Sequence, residues 1–343
     1  SPHHKVVAQF HEWMTGAGVL YLNLANIPVA TVFTTHATVV GRCISGNNLP
    51  LYGSLESYVA DDKAREFNVM AKHSLEKTAA HVADIFTTVS EVTARECKAF
   101  LGKNVDLVTP NGFENSFTPT PDDYKAYHKN ARITLNEIAT LMTGCQLQDD
   151  TVMIAISGRY EYKNKGIDLF LDTLARLNRD PKLTKGLVAW IFVPSGNNGP
   201  NKELVNKVTT FSSYTTNCTH MLNDPDWDPV VRRIRELHLQ NKCSDKVKVL
   251  FVPAYLNGND GVFDKTYYQL LAGLDLTLFP SYYEPWGYTP LESLAFSVPT
   301  VTTSLAGFGL WVKEHYRKAH PGIEIVERTD TNNDEVISAL ESK

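Results

Sequence analysis

Glu284 and Glu292 stand eight residues apart in Phe279-Pro-Ser-Tyr-Tyr-Glu-Pro-Trp-Gly-Tyr-Thr-Pro-Leu-Glu292. This run reads as a strand ending at Phe279, an aromatic loop, and a helix starting near Thr289-Pro290, where a proline just inside the helix is at home. A helix start offers free backbone N–H groups and a partial positive charge, which suit a phosphate. Gly287 lets the backbone come close to a ligand, so the amides around Tyr288 and Thr289 are candidate phosphate contacts. One glutamate then precedes the pocket and the other lies within the helix.

A second run, Ser157-Gly-Arg-Tyr-Glu-Tyr-Lys-Asn-Lys-Gly166, directly follows an apolar strand. Arg159 supplies a planar, permanently charged fork and Lys165 a mobile point charge, groups that can meet a phosphate's negative charge. Taken without context, this lysine-rich turn reads more readily as a solvated surface loop. A third run, Thr34-Thr-His-Ala-Thr-Val-Val-Gly-Arg42, sets His36 after another strand. A lone histidine there also reads as a packed, hydrogen-bonded residue.

Glu284, Glu292 and the residues between them, Tyr-Tyr-Glu-Pro-Trp-Gly-Tyr-Thr-Pro at their centre, resemble the signature of family 3 glycosyltransferases, the animal and fungal type of glycogen synthase. The resemblance runs from about Ala8 to His315. It implies that Glu284 contacts the donor glucose and supports the reacting centre, and that Glu292 holds the nucleotide ribose. It implies too that Arg159 and Lys165 clamp the diphosphate, whereas Lys163 has no matching role. His36 would lie against the sugar, and Arg42 would reach the donor phosphates across a cleft. His11-Glu12-Trp13 is similar to the family's sugar-facing segment, which makes Glu12 a candidate for hydroxyl recognition. Tyr267, 17 residues before Glu284, falls where the family stacks a tyrosine on uracil, and is equally readable as a core residue.

The elements that must carry these residues alternate along the whole chain. Strands are expected at Val29–Thr35, Asp84–Val89, Asp106–Thr109, Thr151–Ile156, Leu187–Val193, Lys246–Val252, Leu274–Phe279 and Pro299–Thr303. These runs are mostly apolar on both faces, as buried parallel strands are. Helices are expected at Asp62–Ala83, Asp123–Thr143, Gly166–Asn178, Pro229–Gln240 and Thr289–Phe296. The alternation predicts an α/β protein with open, doubly wound parallel sheets. It breaks once, between Asn111-Gly112 and Thr151, around Phe117-Thr-Pro-Thr-Pro121 and a long polar helix. Residues 1–118 are therefore assigned to a first Rossmann-like domain, 119–150 to a helical connection, and 151–343 to a nucleotide-sugar-binding Rossmann-like domain. The resemblance implies that the two face each other across a cleft, the GT-B fold. Ser1-Pro2-His3-His4 is neither a start methionine nor a signal peptide, so the first domain is expected to lack its opening strands.

With 343 residues, 43% hydrophobic and 21% charged, the chain can build substantial cores. A net charge of -5 argues against nucleic acid as a partner, and no apolar run is long enough for a membrane helix. Cys43, Cys97, Cys145, Cys218 and Cys243 are scattered without a CxxC pair, and are read as reduced thiols of a cytoplasmic protein. Asp224-Pro-Asp226-Trp-Asp228 looks like a carboxylate run for a metal, but is better explained by an aspartate capping the next helix. Val89-Ser-Glu-Val-Thr93 reads likewise as a cap and first helical turn. His73 and His81 read as structural.

The resemblance implies a retaining hexosyltransferase that moves glucose from UDP-glucose to the non-reducing 4-hydroxyl of glycogen or another α-1,4-glucan. It would use no metal or cofactor and could work with a glucan primer protein. Another retaining GT-B transferase with a different sugar nucleotide or acceptor, or a non-catalytic glucan- or nucleotide-binding remnant, is the alternative. The stretch from Pro194 to Leu222 is shorter than the family's long helical insertion, which leaves oligomerisation open. Leu141-Met-Thr-Gly-Cys145 replaces a histidine-containing run near the family's sugar-phosphate effector site, so regulation of that kind is not expected.

Overall fold

Two parallel sheets gather the apolar runs, in a computed structural model that describes residues 4–210, 217–316 and 322–343. Ser1 to His3, and residues 211–216 of the shortened stretch, lie outside the described residues. The first sheet is built from β1 (Val7–His11), α1 (Glu12–Leu24), β2 (Ala30–Thr35), α2 (Val39–Gly46), α3 (Ala60–Glu66), α4 (Met70–Val82), β3 (Ile85–Thr88), α5 (Glu91–Glu96) and β4 (Leu107–Val108). Its strands lie in sequence order, every pair parallel. Val19, Phe33, Ala79, Phe86 and Leu101 form its core, where α1 and α4 cover one face. The sequence pattern marks neither β1 nor α1. It also runs α3 and α4 together as one helix, but Asn68 with φ 56° breaks the chain between them.

The second sheet comprises β5 (Val152–Ser157), α7 (Ile167–Arg179), β6 (Leu187–Phe192), β9 (Val247–Val252), β10 (Leu276–Leu278), α11 (Tyr288–Ala295), β11 (Thr300–Thr303), α12 (Gly307–His315), β12 (Ile323–Val326) and α13 (Asn333–Glu341), entered through α6 (Pro121–Thr143). An antiparallel pair, β7 (Asn197–Pro200) and β8 (His220–Leu222), is set off from it, with α8 (Lys202–Thr210) between them in the chain; α9 (Pro229–Glu236) precedes β9, and α10 (Tyr267–Leu271) precedes β10. Strand order is β12-β11-β10-β5-β6-β9, all parallel. Alternate residues of β5, β6 and β9 feed two cores. Ile154, Ile156, Ile191 and Phe251 pack with α7, α9 and α13, while Met153, Ala155, Trp190 and Leu250 pack with α6 and α10.

This order has a mechanical meaning. From β5 the chain winds outward to β6 and β9, then returns to lay β10 on the other side of β5 and winds to β11 and β12. The loops after β5 and β10 therefore diverge at a topological switch point, the crevice where open α/β sheets take ligands. Asp228 caps α9 by accepting from the amides of Val230 and Val231, and Ser90 caps α5 by accepting from Thr93, as the sequence indicated. No helix of the described residues is long and apolar enough to cross a membrane.

One reading is corrected. Cys145 and Cys243 are not separate thiols but form a disulfide, with Cα atoms 5.5 Å apart across a separation of 98 residues. Spacing could not reveal it, because the pair meets only when the end of α6 and the turn before β9 come together, lining a cavity of about 240 Å³ with Thr151 and Leu187. Cys43, Cys97 and Cys218 form no disulfide among the described residues. A bridge closing so long a loop restricts the unfolded chain. Thiol reductant is expected to remove about 2–3 kcal/mol of unfolding free energy from the native chain and nothing from Cys243→Ser, as read by denaturant titration. Equal curves for the native chain with and without reductant would contradict this.

Candidate active site at the sheet crevice

Glycine brings the two crevice loops into one unit. Gly166, at the start of α7, has φ 72°, and a Cβ there would lie 2.2 Å from the carbonyl oxygen of Pro280. Backbone therefore rests directly on backbone. The Asn164 carbonyl accepts from the amides of Tyr282 (2.9 Å) and Tyr283 (3.2 Å), locking the loop after β5 to the loop after β10. Lys165, between those two anchors, is ion-paired through Nζ with Oε2 of Glu284; each side chain is only 13% exposed. The loop is held from its far side by the amides of Gly307 and Phe308, which donate to the carbonyls of Glu284 and Trp286.

Gly287, φ 101°, turns the chain into α11, and a Cβ on it would meet Cγ of Glu284 at 3.2 Å. No side chain caps this helix, so its first amides, from Tyr288 onward, are open beside the Lys165–Glu284 pair. Glu292, one face along, accepts from the Tyr268 hydroxyl at 2.8 Å. Burial pushes its pKa up, against the pull of that hydrogen bond. Tyr267 donates to or accepts from Ser157 Oγ at 2.8 Å, with its ring edge-on to Phe192 and Tyr268. Arg159 is largely exposed and ion-paired with Glu161 at 2.9 Å.

The other half of the site is the loop from β2 into α2. Glu12 opens α1 with φ 65°, and its Oε1 accepts from the His36 amide at 2.9 Å. A non-glycine residue in this left-handed region is strained, and such strain gathers at functional sites. Nδ1 of His11 and Nε2 of His36 share a hydrogen bond of 3.0 Å. Burial lowers the His36 pKa, Glu12 works against that, and His11 adds to it. Thr38 caps α2 by accepting from Gly41, and Arg42 is exposed on the same helix. Beneath them Glu76 of α4 accepts from Thr35 Oγ1 (2.6 Å) and the Val39 amide (3.0 Å). One contact between the two halves is the bond that Asn164 donates to Ser45 Oγ at 3.5 Å.

Burial raises the Glu76 pKa from 4.5 to about 8, although its two donors oppose the shift. The folded state thus holds a proton that the unfolded chain releases, so this group's contribution is fully present below about pH 4.5 and is lost as pH rises through about 8. Glu76→Gln is expected to flatten the fall of stability with pH across that window, since a carboxamide can accept from Val39 and donate to Thr35. Denaturation midpoints at several pH values test it; an unchanged slope would contradict it.

Of the sequence candidates, Lys165, Glu284, Gly287 and the start of α11 converge, and His36 lies with Glu12. Arg159 and Tyr267 have other partners, Glu161 and Ser157. Sequence reasoning did not single out Tyr268, Asn164, Glu76 or Glu96. Their types are ordinary for amphipathic helices and turns, and only the fold reveals their contacts.

The family model described as glycogen synthase matches residues 1–213 and 202–343. Among curated relatives, the liver glycogen [starch] synthase of Mus musculus is 32% identical over 395 residues, with 98% of this chain and 56% of that protein covered. Glycogen [starch] synthase isoform 2 of Saccharomyces cerevisiae is 33% identical over 410 residues, with 98% and 58% covered. The chain thus spans just over half the length of these relatives. Among solved structures, the catalytic domain of starch synthase IV from Arabidopsis thaliana, bound to ADP and acarbose, superposes with a TM-score of 0.55 at 15% identity, covering 98% of this chain and 65% of that one. Sucrose-phosphate synthase from Thermosynechococcus elongatus gives 0.53 at 17% identity, covering 98% and 63%. At these identities the likeness is one of fold, and that fold is GT-B.

Proposed function

We propose, from the premise that the chain belongs to the glycogen synthase family, that it transfers glucose with retention from UDP-glucose to the non-reducing 4-hydroxyl of an α-1,4-glucan. The observation that carries this reading is the Lys165–Glu284 pair, held beside the uncapped start of α11 at the switch point between β5 and β10. Breaking the sugar–phosphate bond develops negative charge on the diphosphate, and groups already fixed at that position stabilise it without reorganising. Lys165, Arg159 and the amides of Tyr288 and Thr289 would take that charge. Glu284 would hold the glucose and Glu292 the ribose, with Tyr267 nearest the base. Glu12, His36 and Arg42 would close on the sugar and phosphates from the first sheet. The acceptor hydroxyl then enters on the face that the diphosphate leaves.

With leaving-group charge met by cations and amides, the reaction is proposed to need no metal. The reading extends to a cytoplasmic location and to a glucan primer protein as partner. The test measures glucose incorporation into glycogen from UDP-glucose and from ADP-glucose in parallel, with and without EDTA. Incorporation from UDP-glucose that survives EDTA is the expected result. Preference for ADP-glucose would overturn the donor assignment, and no incorporation from either would overturn the transferase reading.

A further inference from the structure

We propose that Glu96 is a positioning residue for the transfer, its carboxylate joining the loop that bears His36 and Arg42 to Tyr283, the neighbour of Glu284. This rests on the transferase reading above and deepens it. Glu96 ends α5 in the first sheet's half and is completely buried. Three hydroxyls donate to it: Thr38 Oγ1 at 2.7 Å and Tyr283 at 3.3 Å to Oε2, and Tyr52 at 3.0 Å to Oε1. Thr38 is the cap of α2, two residues after His36, whereas Tyr283 belongs to the loop after β10. A single oxygen therefore ties one half of the site to the other.

The fit is close on every side. A Cβ on Gly41 would lie 2.1 Å from Glu96 Oε2, so the carboxylate rests directly on the backbone of α2. The rings of Tyr52 and Tyr283 stack at 6.4 Å, and the Leu51 amide donates to the Tyr282 hydroxyl at 2.7 Å. That hydroxyl in turn donates to Asp330, which also accepts from the Gly53 amide at 2.9 Å. The chain after Glu96 is a π-turn, Cys97–Leu101, the kind of irregularity that re-aims a helix at functional positions. Burial pushes the Glu96 pKa up to about 7, while the three hydroxyls and then Arg42 work to lower it. Burying a carboxylate is unfavourable unless donors meet it, and here three hydroxyls do. What the carboxylate adds is a fixed spacing between groups that must meet one substrate.

Two variants test this. Glu96→Leu keeps the volume and removes every acceptor, whereas Tyr283→Phe removes one hydroxyl and is mild enough to fold. Most of the donor contacts proposed above, from Lys165, Arg159, Glu292 and the amides of α11, lie in the second sheet's half, so positioning acts on turnover more than on binding. The expected result is a fall in kcat of ~30-fold or more for Glu96→Leu and ~3–10-fold for Tyr283→Phe, with UDP-glucose affinity changed by less than about threefold. Glu96→Gln, which retains an acceptor for two of the hydroxyls, should recover most of the loss. A kcat within about threefold of native in both variants would overturn the proposal. So would a loss of donor affinity matching the loss of kcat, the mark of a merely structural role.

Hydrogen–deuterium exchange gives a reading independent of activity. In Glu96→Leu, residues 36–42 and 282–287 should both exchange ~10-fold faster, and unchanged protection in either would also overturn the proposal. A native chain that transfers nothing would overturn the transferase reading instead, and exchange would still decide whether Glu96 joins the two halves.

Discussion

Glu284→Ala is expected to lower glucose transfer by ~10³-fold or more, the largest effect of any single substitution in this chain. Its carboxylate is ion-paired with Lys165, and both groups are mostly buried. Alanine removes the oxygen that would hold the glucose and also leaves an uncompensated cation in a protein interior. Breaking a buried pair in this way destabilises by about 3–5 kcal/mol, so turnover and unfolding have to be measured together. Glu284→Gln separates the two consequences. It still offers Lys165 an acceptor and should destabilise less than alanine does, but it lacks the charge that supports the reacting centre. Undiminished turnover by a folded Glu284→Ala would remove the proposed role.

The second large effect belongs to Lys165→Ala, for which kcat should fall by ~10²–10³, equivalent to about 2.7–4 kcal/mol of transition-state stabilisation. The departing diphosphate carries more negative charge in the transition state than in the bound donor. A cation aimed at it therefore contributes more to kcat than to binding. Arginine should not substitute well. A planar fork cannot take the place of a point charge held between Asn164, which is bonded to Tyr282 and Tyr283, and Gly166, which is pressed on Pro280. Steady-state kinetics against UDP-glucose decides it. A raised KM with unchanged kcat would mean that Lys165 contributes only uniform binding.

Much of this arrangement is legible in the sequence because it rests on local chemistry. Strands buried on both faces, such as Leu187–Phe192, advertise themselves as unbroken apolar runs. The start of α11 is marked by glycine and proline, and the Lys165 loop follows its strand directly. What stayed hidden depends on distant partners. β1 is half exposed and lacks the double-sided apolar pattern. α1 starts without a side-chain cap, and Gly16 and Gly18 weaken its helical signal. Glu76 and Glu96 lie among charged and polar neighbours in α4 and α5, where a glutamate reads as solvent-facing. Only the convergence of α2, α4 and α5 turns them inward. The Cys145–Cys243 bridge is of the same kind, invisible until two remote turns meet. Of the neighbouring tyrosines, sequence singled out Tyr267, whereas Tyr268 is the one bonded to Glu292.

The contact between Gly166 and Pro280 has a kinematic consequence. Two loops that rest atom on atom, with no side chain between them, cannot slide independently, so the cation of one and the carboxylate of the other travel together. Any swing of the first sheet's half against the second would load the two loops as one body, through Asn164, Tyr282 and Tyr283 together. The spacing of Lys165 and Glu284 is thereby kept while their joint position answers to the first half.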